Sequence, residues 1–229
     1  MRDQWHRLAT ELPNAELRTA HGETLGVFDF YDDEDAVVTL VNEFLGGAPL
    51  DREPPDDHAR PDPGGLRTVL FTDLVGHTEM MSRLGDERGR DVLREHERIT
   101  REVLKANGGT EVKTMGDGFM ASFGSVTKAV ECAIALQKAF AEREGEPLSV
   151  RVGLNAGEPI EEDGDLFGAT VIMASRIAAK AEGGEILVAD TVRGLCSGKG
   201  FLFADQGEFV AKGFEEPVRI SEVNWRSDI

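Results

Sequence analysis

Two aspartates stand at the ends of apolar runs that have the composition of β-strands, and this placement restricts the folds open to the chain. Asp73 ends the run 69–72, and a glycine turn at Gly76 follows. A run this apolar and β-branched predicts a buried strand that leads into a turn. Asp117 lies between two glycines with apolar residues on both sides, which predicts a tight hairpin with the aspartate at its tip.

If the two strand ends meet, the carboxylates of Asp73 and Asp117 lie close enough to repel each other. At a separation of about 4 Å and an effective dielectric constant near 20, that repulsion is roughly 4 kcal/mol. A divalent cation between the carboxylates removes it, and two-metal phosphoryl-transfer sites use such a pair. Taken one at a time, the residues also fit ordinary roles, with Asp73 capping the next helix and Asp117 supplying a turn.

The charge of the chain limits the partners that it can bind. The 229 residues include 43 acidic and 25 basic side chains, for a formal net charge of -18 at pH 7. Such a chain is not expected to bind nucleic acid or an anionic membrane surface. It has no long apolar run, no signal-peptide core and only two cysteines, Cys132 and Cys196, in apolar surroundings. These features predict a soluble, cytoplasmic protein with one well-formed core.

Proline placement divides the chain into three parts. Residues 49–65 hold five of the nine prolines and few apolar residues, which predicts an extended acidic linker. Residues 1–48 form a leader with one predicted helix, too short for an independent core, so it either docks on another surface or stays marginally stable. Residues 66–226 are expected to form the globular domain.

The order of predicted elements in the globular part indicates an α/β fold. The series β-α-β-β-α-β, with additions, predicts an α+β sandwich of the ferredoxin-like or palm type, with helices on one face of the sheet. A right-handed crossover through the first helix brings Asp73 beside the hairpin of Asp117. The predicted helices span 79–107 (which Gly85 can break), 126–143, 168–181 and 191–196, and the predicted strands span 69–72, 110–114, 118–123, 148–154, 185–189, 201–210 and 218–225.

The spaced motifs resemble those of the class III nucleotidyl cyclase catalytic domain, the family that includes adenylate and guanylate cyclases. The string FTDLVGHT resembles the first metal motif of that family, which implies that Asp73 and the backbone carbonyl of Leu74 bind metal. The same motif implies that Gly76 and Thr78 approach the phosphates. In VKTMGDGFMASF, Asp117 matches the second metal aspartate.

Other positions match the base-reading and catalytic residues of the family. Lys113 matches the lysine that reads the adenine ring. The string DLFGATVIMASRI resembles the segment that carries the second base-reading residue and the transition-state arginine, which match Asp165 and Arg176. In VAKGFEEPV, Lys212 is a weaker match to a phosphate-binding lysine. Singly, each also fits a solvent-facing charge on a strand, turn or helix.

The resemblance covers about residues 66–223 and implies an adenylate cyclase. Such an enzyme converts ATP to 3′,5′-cyclic AMP and pyrophosphate with two Mg²⁺ or Mn²⁺ ions per site. A lysine that donates to a ring nitrogen and an aspartate that accepts from an exocyclic amine suit adenine rather than guanine. The resemblance also implies a homodimer, in which the metal aspartates of one chain face the base-reading residues and the arginine of the other.

One position departs from the family pattern. Ile172 stands where the family has asparagine, one helical turn before Arg176. Residues four apart on a helix share a face, so the asparagine would point with the arginine toward the substrate. Loss of the hydrogen bond that this asparagine would make to a charged partner should cost roughly 1.5–3 kcal/mol, or about 10- to 100-fold in rate. The substitution therefore implies a slow enzyme.

Two other functions stay open from the sequence. The chain could be a pseudocyclase that binds nucleotide as a regulatory module, or a cyclase for GTP or a pyrimidine nucleotide. The leader also faintly resembles the closing segment of an α/β-hydrolase, but the chain contains no G-x-S-x-G motif. A docking, regulatory or dimer-stabilising role is therefore expected for residues 1–48.

Overall fold

The computed structural model describes residues 65–226, which form a mixed α+β domain. The predicted leader, nearly all of the linker and residues 227–229 lie outside the described residues. In chain order the elements are β1 (Arg67–Leu74), α1 (His77–Ala106), β2 (Thr110–Met115), β3 (Gly118–Phe123), α2 (Val126–Glu142), β4 (Val150–Gly157), β5 (Ile160–Glu162), β6 (Asp165–Phe167), α3 (Ala169–Lys180), β7 (Ile186–Ala189), α4 (Asp190–Leu195), β8 (Phe203–Phe209) and β9 (Val218–Val223).

Seven strands form one sheet in the order β2-β3-β1-β4-β7-β9-β8. Strands β4 and β7 run parallel, and every other neighbouring pair is antiparallel. The central strand β1 pairs with β3 on one side and with β4 on the other. This register places Thr72 opposite Phe119 and Asp73 opposite Arg151. The end of β1 therefore lies beside the start of β3.

Helices α1, α2 and α4 share the larger core with one face of the sheet. Ser125 begins α2 by accepting a hydrogen bond from the backbone N–H of Lys128 at 3.4 Å. The one polar residue on the apolar side of α2, Gln137, is buried and donates to the carbonyl of Val150 at 2.8 Å. Its amide is therefore satisfied inside the core, which explains why the apolar spacing tolerates it.

Helix α3 packs on the opposite face of the sheet, where Gly153 of β4 allows a close approach. A Cβ at position 153 would lie 2.1 Å from the backbone nitrogen of Ala178, so any larger residue would push the helix away. Residues Met173, Ile177 and Ala181 join a second, smaller core on this side. The predicted palm-type α+β fold is confirmed, but the prediction that the helices cover one face of the sheet is wrong, because α3 packs on the other face against Gly153.

Two local features bear on the sequence predictions. Helix α1 has non-helical angles at Gly85 (φ 75°, ψ 170°), so the predicted break is confirmed. The hairpin β5–β6 was not predicted, because its acidic residues fit a solvated turn. Asp163 (φ 51°) and Gly164 (φ 81°) form a two-residue connection with positive φ, which suits the twist of paired strands.

None of the helices within residues 65–226 is long and apolar enough to cross a membrane.

A fully buried histidine lies between α1 and the sheet. His96 stacks on Phe140 with ring centroids 5.2 Å apart and lies 5.9 Å from the ring of Phe119. Neither of its ring nitrogens has a hydrogen-bond partner within the part of the chain that the structure describes. Burial in these surroundings lowers the pKa of His96 from 6.5 to about 4, because the charged imidazolium would lose its hydration.

The domain should therefore lose stability in acid through His96. Below pH 6.5 the unfolded chain takes up a proton that the folded chain refuses until about pH 4, so the free energy of unfolding falls across this window. The full shift is worth about 3 kcal/mol. Replacement His96→Leu should remove this loss, so its stability relative to the wild type should rise as pH falls from 7 to 4.5. Urea unfolding at both pH values measures the change, and an equal loss in the two proteins would contradict it.

Candidate active site

Asp73 is buried at the end of β1 and carries an ion pair on one of its two oxygens. The residue is only 4% exposed. Arg151 of β4 donates from Nε to Oδ2 of Asp73 at 2.8 Å, and Nη2 donates to the same oxygen. The other oxygen, Oδ1, is buried and has no hydrogen-bond partner among residues 65–226. A buried carboxylate oxygen without a partner is costly, and it is available to a ligand.

Asp117 lies in the turn between β2 and β3 and is 5% exposed. The next residue, Gly118, lets the hairpin pack against β1, because a Cβ there would lie 2.6 Å from the carbonyl oxygen of Thr72 and 3.7 Å from Oδ1 of Asp73. Burial raises the pKa of Asp117, and the negative charge of Asp73 raises it further. The structure therefore brings the two carboxylates together, as the motif spacing predicts.

The start of α1 closes this end of the site. Gly76 adopts a left-handed conformation (φ 74°) that turns the chain from β1 into the helix, and no side chain caps the helix there. Leu74 is buried at the end of β1, and Thr78 lies exposed in the first helical turn. Nδ1 of His77 is 3.4 Å from Oδ2 of Asp117. The uncapped N–H groups of such a turn suit an anion such as phosphate.

The donor set fits a hard divalent cation. Asp73 and Asp117 supply carboxylate oxygens, which suit Mg²⁺ or Mn²⁺. Within residues 65–226 no group of three or more histidine, cysteine, aspartate or glutamate side chains could hold a metal ion. Further ligands would therefore have to come from a backbone carbonyl, water or substrate phosphate, as is usual for Mg²⁺ at phosphoryl-transfer sites.

A second polar cluster joins β2 to the small hairpin. Nζ of Lys113 donates to Oδ2 of Asp165 at 2.7 Å, and both side chains are partly exposed. The backbone N–H of Leu166 donates to Oδ1 of Asp165 at 2.8 Å. Nζ of Lys113 also lies 5.6 Å from the ring centroid of Phe167, within the range of a cation–π contact. The two predicted base-reading residues thus meet within one chain.

Arg176 lies on α3, and its Nε is buried and has no hydrogen-bond partner in the described range 65–226. Ile172, one turn earlier, is 47% exposed. Lys212 is exposed in the connection between β8 and β9. Within residues 65–226, no hydrogen bond or ion pair of the structure joins the Lys113–Asp165 cluster to Asp73 or Asp117.

Sequence reasoning missed Arg151, His77 and Phe167. The alternation of 148–154 predicted that position 151 faces away from the main core, but not that it pairs with Asp73. That pairing depends on the register of β1 with β4, which no local pattern encodes. His77 lies inside the first metal motif, and Phe167 lies inside the segment that begins with Asp165. Their position within these motifs was the only signal in the sequence that could have indicated them.

Replacement Asp117→Asn should raise stability without metal and abolish stabilisation by metal. Because Arg151 and His77 already offset part of the negative charge, loss of the charge at Asp117 relieves a net repulsion of about 1 kcal/mol, equal to about 2–4 °C in Tm for a domain of this size. Loss of a ligand should also remove the rise in Tm that Mn²⁺ produces. Thermal unfolding in EDTA and in Mn²⁺ measures both effects.

The matched control for that replacement is Asp205→Asn. Asp205 is an exposed carboxylate paired with Arg219, remote in the sheet from β1. This variant should keep the full rise in Tm with Mn²⁺. A metal site at Asp117 is refuted if Asp117→Asn is no more stable in EDTA and still gains stability from Mn²⁺.

Comparison with known proteins agrees with this geometry. The model of the adenylate and guanylate cyclase catalytic domain family matches residues 65–222, more than half of the 229-residue chain. A Rhizobium meliloti protein that carries the name adenylate cyclase 3 is 35% identical to this chain over 163 residues. The match covers 68% of this chain and 27% of that protein. The chain spans 7% to 27% of the length of several curated relatives that it matches.

Solved structures show the same fold. An adenylate/guanylate cyclase/hydrolase from Silicibacter pomeroyi is 33% identical, with a TM-score of 0.62, over 69% of this chain and 95% of that one. The adenylyl cyclase CyaB from P. aeruginosa is 29% identical, with a TM-score of 0.62, over 69% of this chain and 93% of that one. This chain therefore belongs to the adenylate and guanylate cyclase catalytic domain family, class III of the nucleotidyl cyclases.

Proposed function

We propose that the domain is an adenylate cyclase that converts ATP to 3′,5′-cyclic AMP and pyrophosphate. The observation that carries this proposal is the pair of buried carboxylates, Asp73 and Asp117, whose charges interact and which include one carboxylate oxygen, Oδ1 of Asp73, without a partner among the described residues. The family is one of nucleotide cyclases, and its members generally use divalent metal ions. The choice of ATP, the number of ions and the dimeric arrangement are parts of the proposal.

The reaction forms a bond between the ribose 3′-oxygen and the α-phosphorus and breaks the bond to the β-phosphate. The hydroxyl loses its proton, and pyrophosphate leaves with the electron pair of the broken bond. Divalent ions held by Asp73 and Asp117 would supply the Lewis acidity that favours loss of this proton and balances phosphate charge. The uncapped turn at Gly76, with Thr78 beside it, is suited to hold the triphosphate. Lys212 would add a positive charge on the phosphate side.

The geometry of Lys113 and Asp165 supports adenine as the base. The ammonium group of Lys113 has three N–H donors and uses one on Asp165, so it can also donate to a ring nitrogen. Asp165 only accepts when ionised, which suits the exocyclic amine of adenine. Guanine presents a carbonyl oxygen and a protonated nitrogen on the same edge, so it would leave Lys113 without a ring acceptor and place the carbonyl against Asp165.

Arg176 is suited to stabilise charge that develops on the phosphate. Its guanidinium is always charged, and its Nε has no partner in the described part of the chain. Arginines in comparable roles accelerate phosphoryl transfer by about 10³ to 10⁵. Helix α3 is held close to the sheet at Gly153, which fixes the position of the arginine along the helix.

A shared site between two chains agrees with the separation of the two clusters. The carboxylates of Asp73 and Asp117 form one group, and the Lys113–Asp165 pair forms another with no ion pair between them in the described part of the chain. We propose that a homodimer joins the metal carboxylates of one chain to Lys113, Asp165 and Arg176 of its partner. Two equivalent sites would follow from the twofold symmetry.

One observation favours a second candidate, a nucleotide-binding module with little turnover. Ile172 is exposed one turn before Arg176, so the family asparagine is replaced at a position where solvent or substrate reaches the side chain. An isoleucine there cannot orient a substrate by hydrogen bonding. Such a module would bind ATP and release no cyclic product.

Product analysis with the four nucleoside triphosphates separates these functions. We expect 3′,5′-cyclic AMP from ATP with Mg²⁺ or Mn²⁺, at a low rate, and less product from the other three. Replacement Ile172→Asn should raise turnover about 10- to 100-fold by restoring a polar contact, and Arg176→Ala should abolish it. If a correctly folded Ile172→Asn variant shows no rise in turnover, Ile172 is not the cause of the low rate. If none of the four triphosphates is cyclised, the enzyme proposal fails.

Mixing two inactive variants tests the shared site. Asp73→Ala removes a metal ligand and Arg176→Ala removes the arginine, so each homodimer should be inactive. In a mixed dimer one site carries both lesions and the other carries none, so an equal mixture should recover about a quarter of wild-type activity. Differently tagged chains show whether mixed dimers form. Mixed dimers that form and stay silent would rule out sharing across the interface.

A further inference from the structure

We propose that His77 is a positioning residue of the metal pocket, whose Nδ1–H holds the carboxylate of Asp117 in the orientation that a divalent cation requires. This inference rests on the proposed function, because it concerns the same pocket. The motif resemblance assigns roles to Gly76 and Thr78, on either side of His77, but none to His77 itself. The inference therefore adds a side chain to the site.

The first support is the contact between the imidazole and the carboxylate. Nδ1 of His77 lies 3.4 Å from Oδ2 of Asp117, slightly farther than in an ordinary N–H···O hydrogen bond. Hydrogen bonds of active sites are often long without ligand and shorten when ligand binds. Arg151 pairs with Asp73 rather than with Asp117, so the contact with His77 is the ion pair that Asp117 makes among residues 65–226. The side chain of Asp117 is only 5% exposed, so little water is available to orient it.

The second support is the position of the ring proton. Nε2 of His77 is buried and has no hydrogen-bond partner in the described part of the chain. A histidine ring carries a proton on at least one of its two nitrogens. If that nitrogen were Nε2 alone, its buried N–H would have no acceptor, and the lone pair of Nδ1 would face a negative oxygen of Asp117. Both are unfavourable, so Nδ1 carries a proton and donates toward Oδ2.

The third support is the place of His77 in the fold. His77 is the first residue of α1, directly after the left-handed Gly76. Its backbone N–H is one of the four at the start of a helix that have no partner within the helix. Its side chain reaches Asp117 in the turn between β2 and β3. One residue therefore links the turn that is suited to hold phosphate to the turn that is suited to hold metal.

His77 acts through Asp117 rather than on the metal ion itself. No group of three or more histidine, cysteine, aspartate or glutamate side chains in the range 65–226 could hold a metal ion, so the imidazole is not a third protein ligand. A hydrogen bond from an outer group fixes the orientation of a ligating carboxylate, and its loss typically lowers metal affinity by about 10- to 100-fold. Removal of the donor at position 77 should therefore weaken metal binding.

A role for His77 in filling space alone predicts the opposite order of two variants. Phenylalanine keeps a ring of similar size but has no N–H donor. Asparagine is smaller, but its side-chain amide can place an N–H close to the position of the histidine Nδ1–H. If His77 positions Asp117, His77→Asn should keep the metal affinity and His77→Phe should lower it. If His77 only fills space, His77→Phe should keep it and His77→Asn should lower it.

Titration with Mn²⁺ in the presence of a non-cyclisable ATP analogue, followed by the electron paramagnetic resonance of the free ion, tests this order. His77→Phe should bind Mn²⁺ about tenfold more weakly than the wild type, and His77→Asn should stay within about twofold of it. Arg94→Met, which removes an exposed arginine of the same helix from its pair with Asp91, should match the wild type. Wild-type affinity in folded His77→Phe overturns the inference, and so does an equal loss in both variants at position 77.

A measurement on the wild type covers the case in which the variants do not fold. Long-range proton–nitrogen NMR correlations of an imidazole show which ring nitrogens carry a proton. With Mg²⁺ and the ATP analogue bound, Nδ1 of His77 should be protonated, and a bare Nδ1 overturns the inference. Cyclic AMP production by His77→Phe with unchanged Mn²⁺ affinity would remove this inference and leave the proposed function standing. A wild type that binds no Mn²⁺ with or without nucleotide would remove both.

Discussion

The antiparallel register of β1 between β3 and β4 is the constraint on which the site depends. It sets Asp73 opposite Arg151 on one side and brings the glycine at the start of β3 against Thr72 on the other. A shift of one residue would turn Asp73 to the opposite face of the sheet, away from its arginine. Buried apolar residues on β1 hold this register, since Leu70 and Leu74 face the larger core. Core packing therefore determines where the carboxylates meet.

Local signals in the sequence were sufficient to predict most of the fold and part of the site. The run before Asp73 and the glycines around Asp117 each specify a short element by composition alone, and the family motifs supplied the spacing between them. The break in α1 could also be predicted, because glycine readily adopts the positive φ that other residues rarely adopt and that Gly85 has in the structure. Such features could be predicted because they depend on neighbours in the chain.

Features that depend on distant residues could not be read in this way. The contact of Arg151 with Asp73 needs the register of two strands that are 78 positions apart in sequence. The placement of α3 on the second sheet face needs Gly153 to meet Ala178, and a glycine within a strand can equally mark a bulge or a tight bend. The β5–β6 hairpin was not predicted, because its acidic residues have the composition of a turn. The pairing of its two strands brings Asp165 to Lys113.

The same charges serve two states of the protein. Without ligand, the charge of Asp73 is balanced by Arg151 and that of Asp165 by Lys113, so both carboxylates have a cationic partner within the chain. The substrate that we propose, an adenine nucleotide with its divalent cation, carries groups complementary to these four residues. In the proposed complex these charges would contact the ligand, and part of the penalty of removing them from water has already been met during folding. Preorganised charges of this kind can stabilise a transition state with little rearrangement, which favours a rigid sheet as their support.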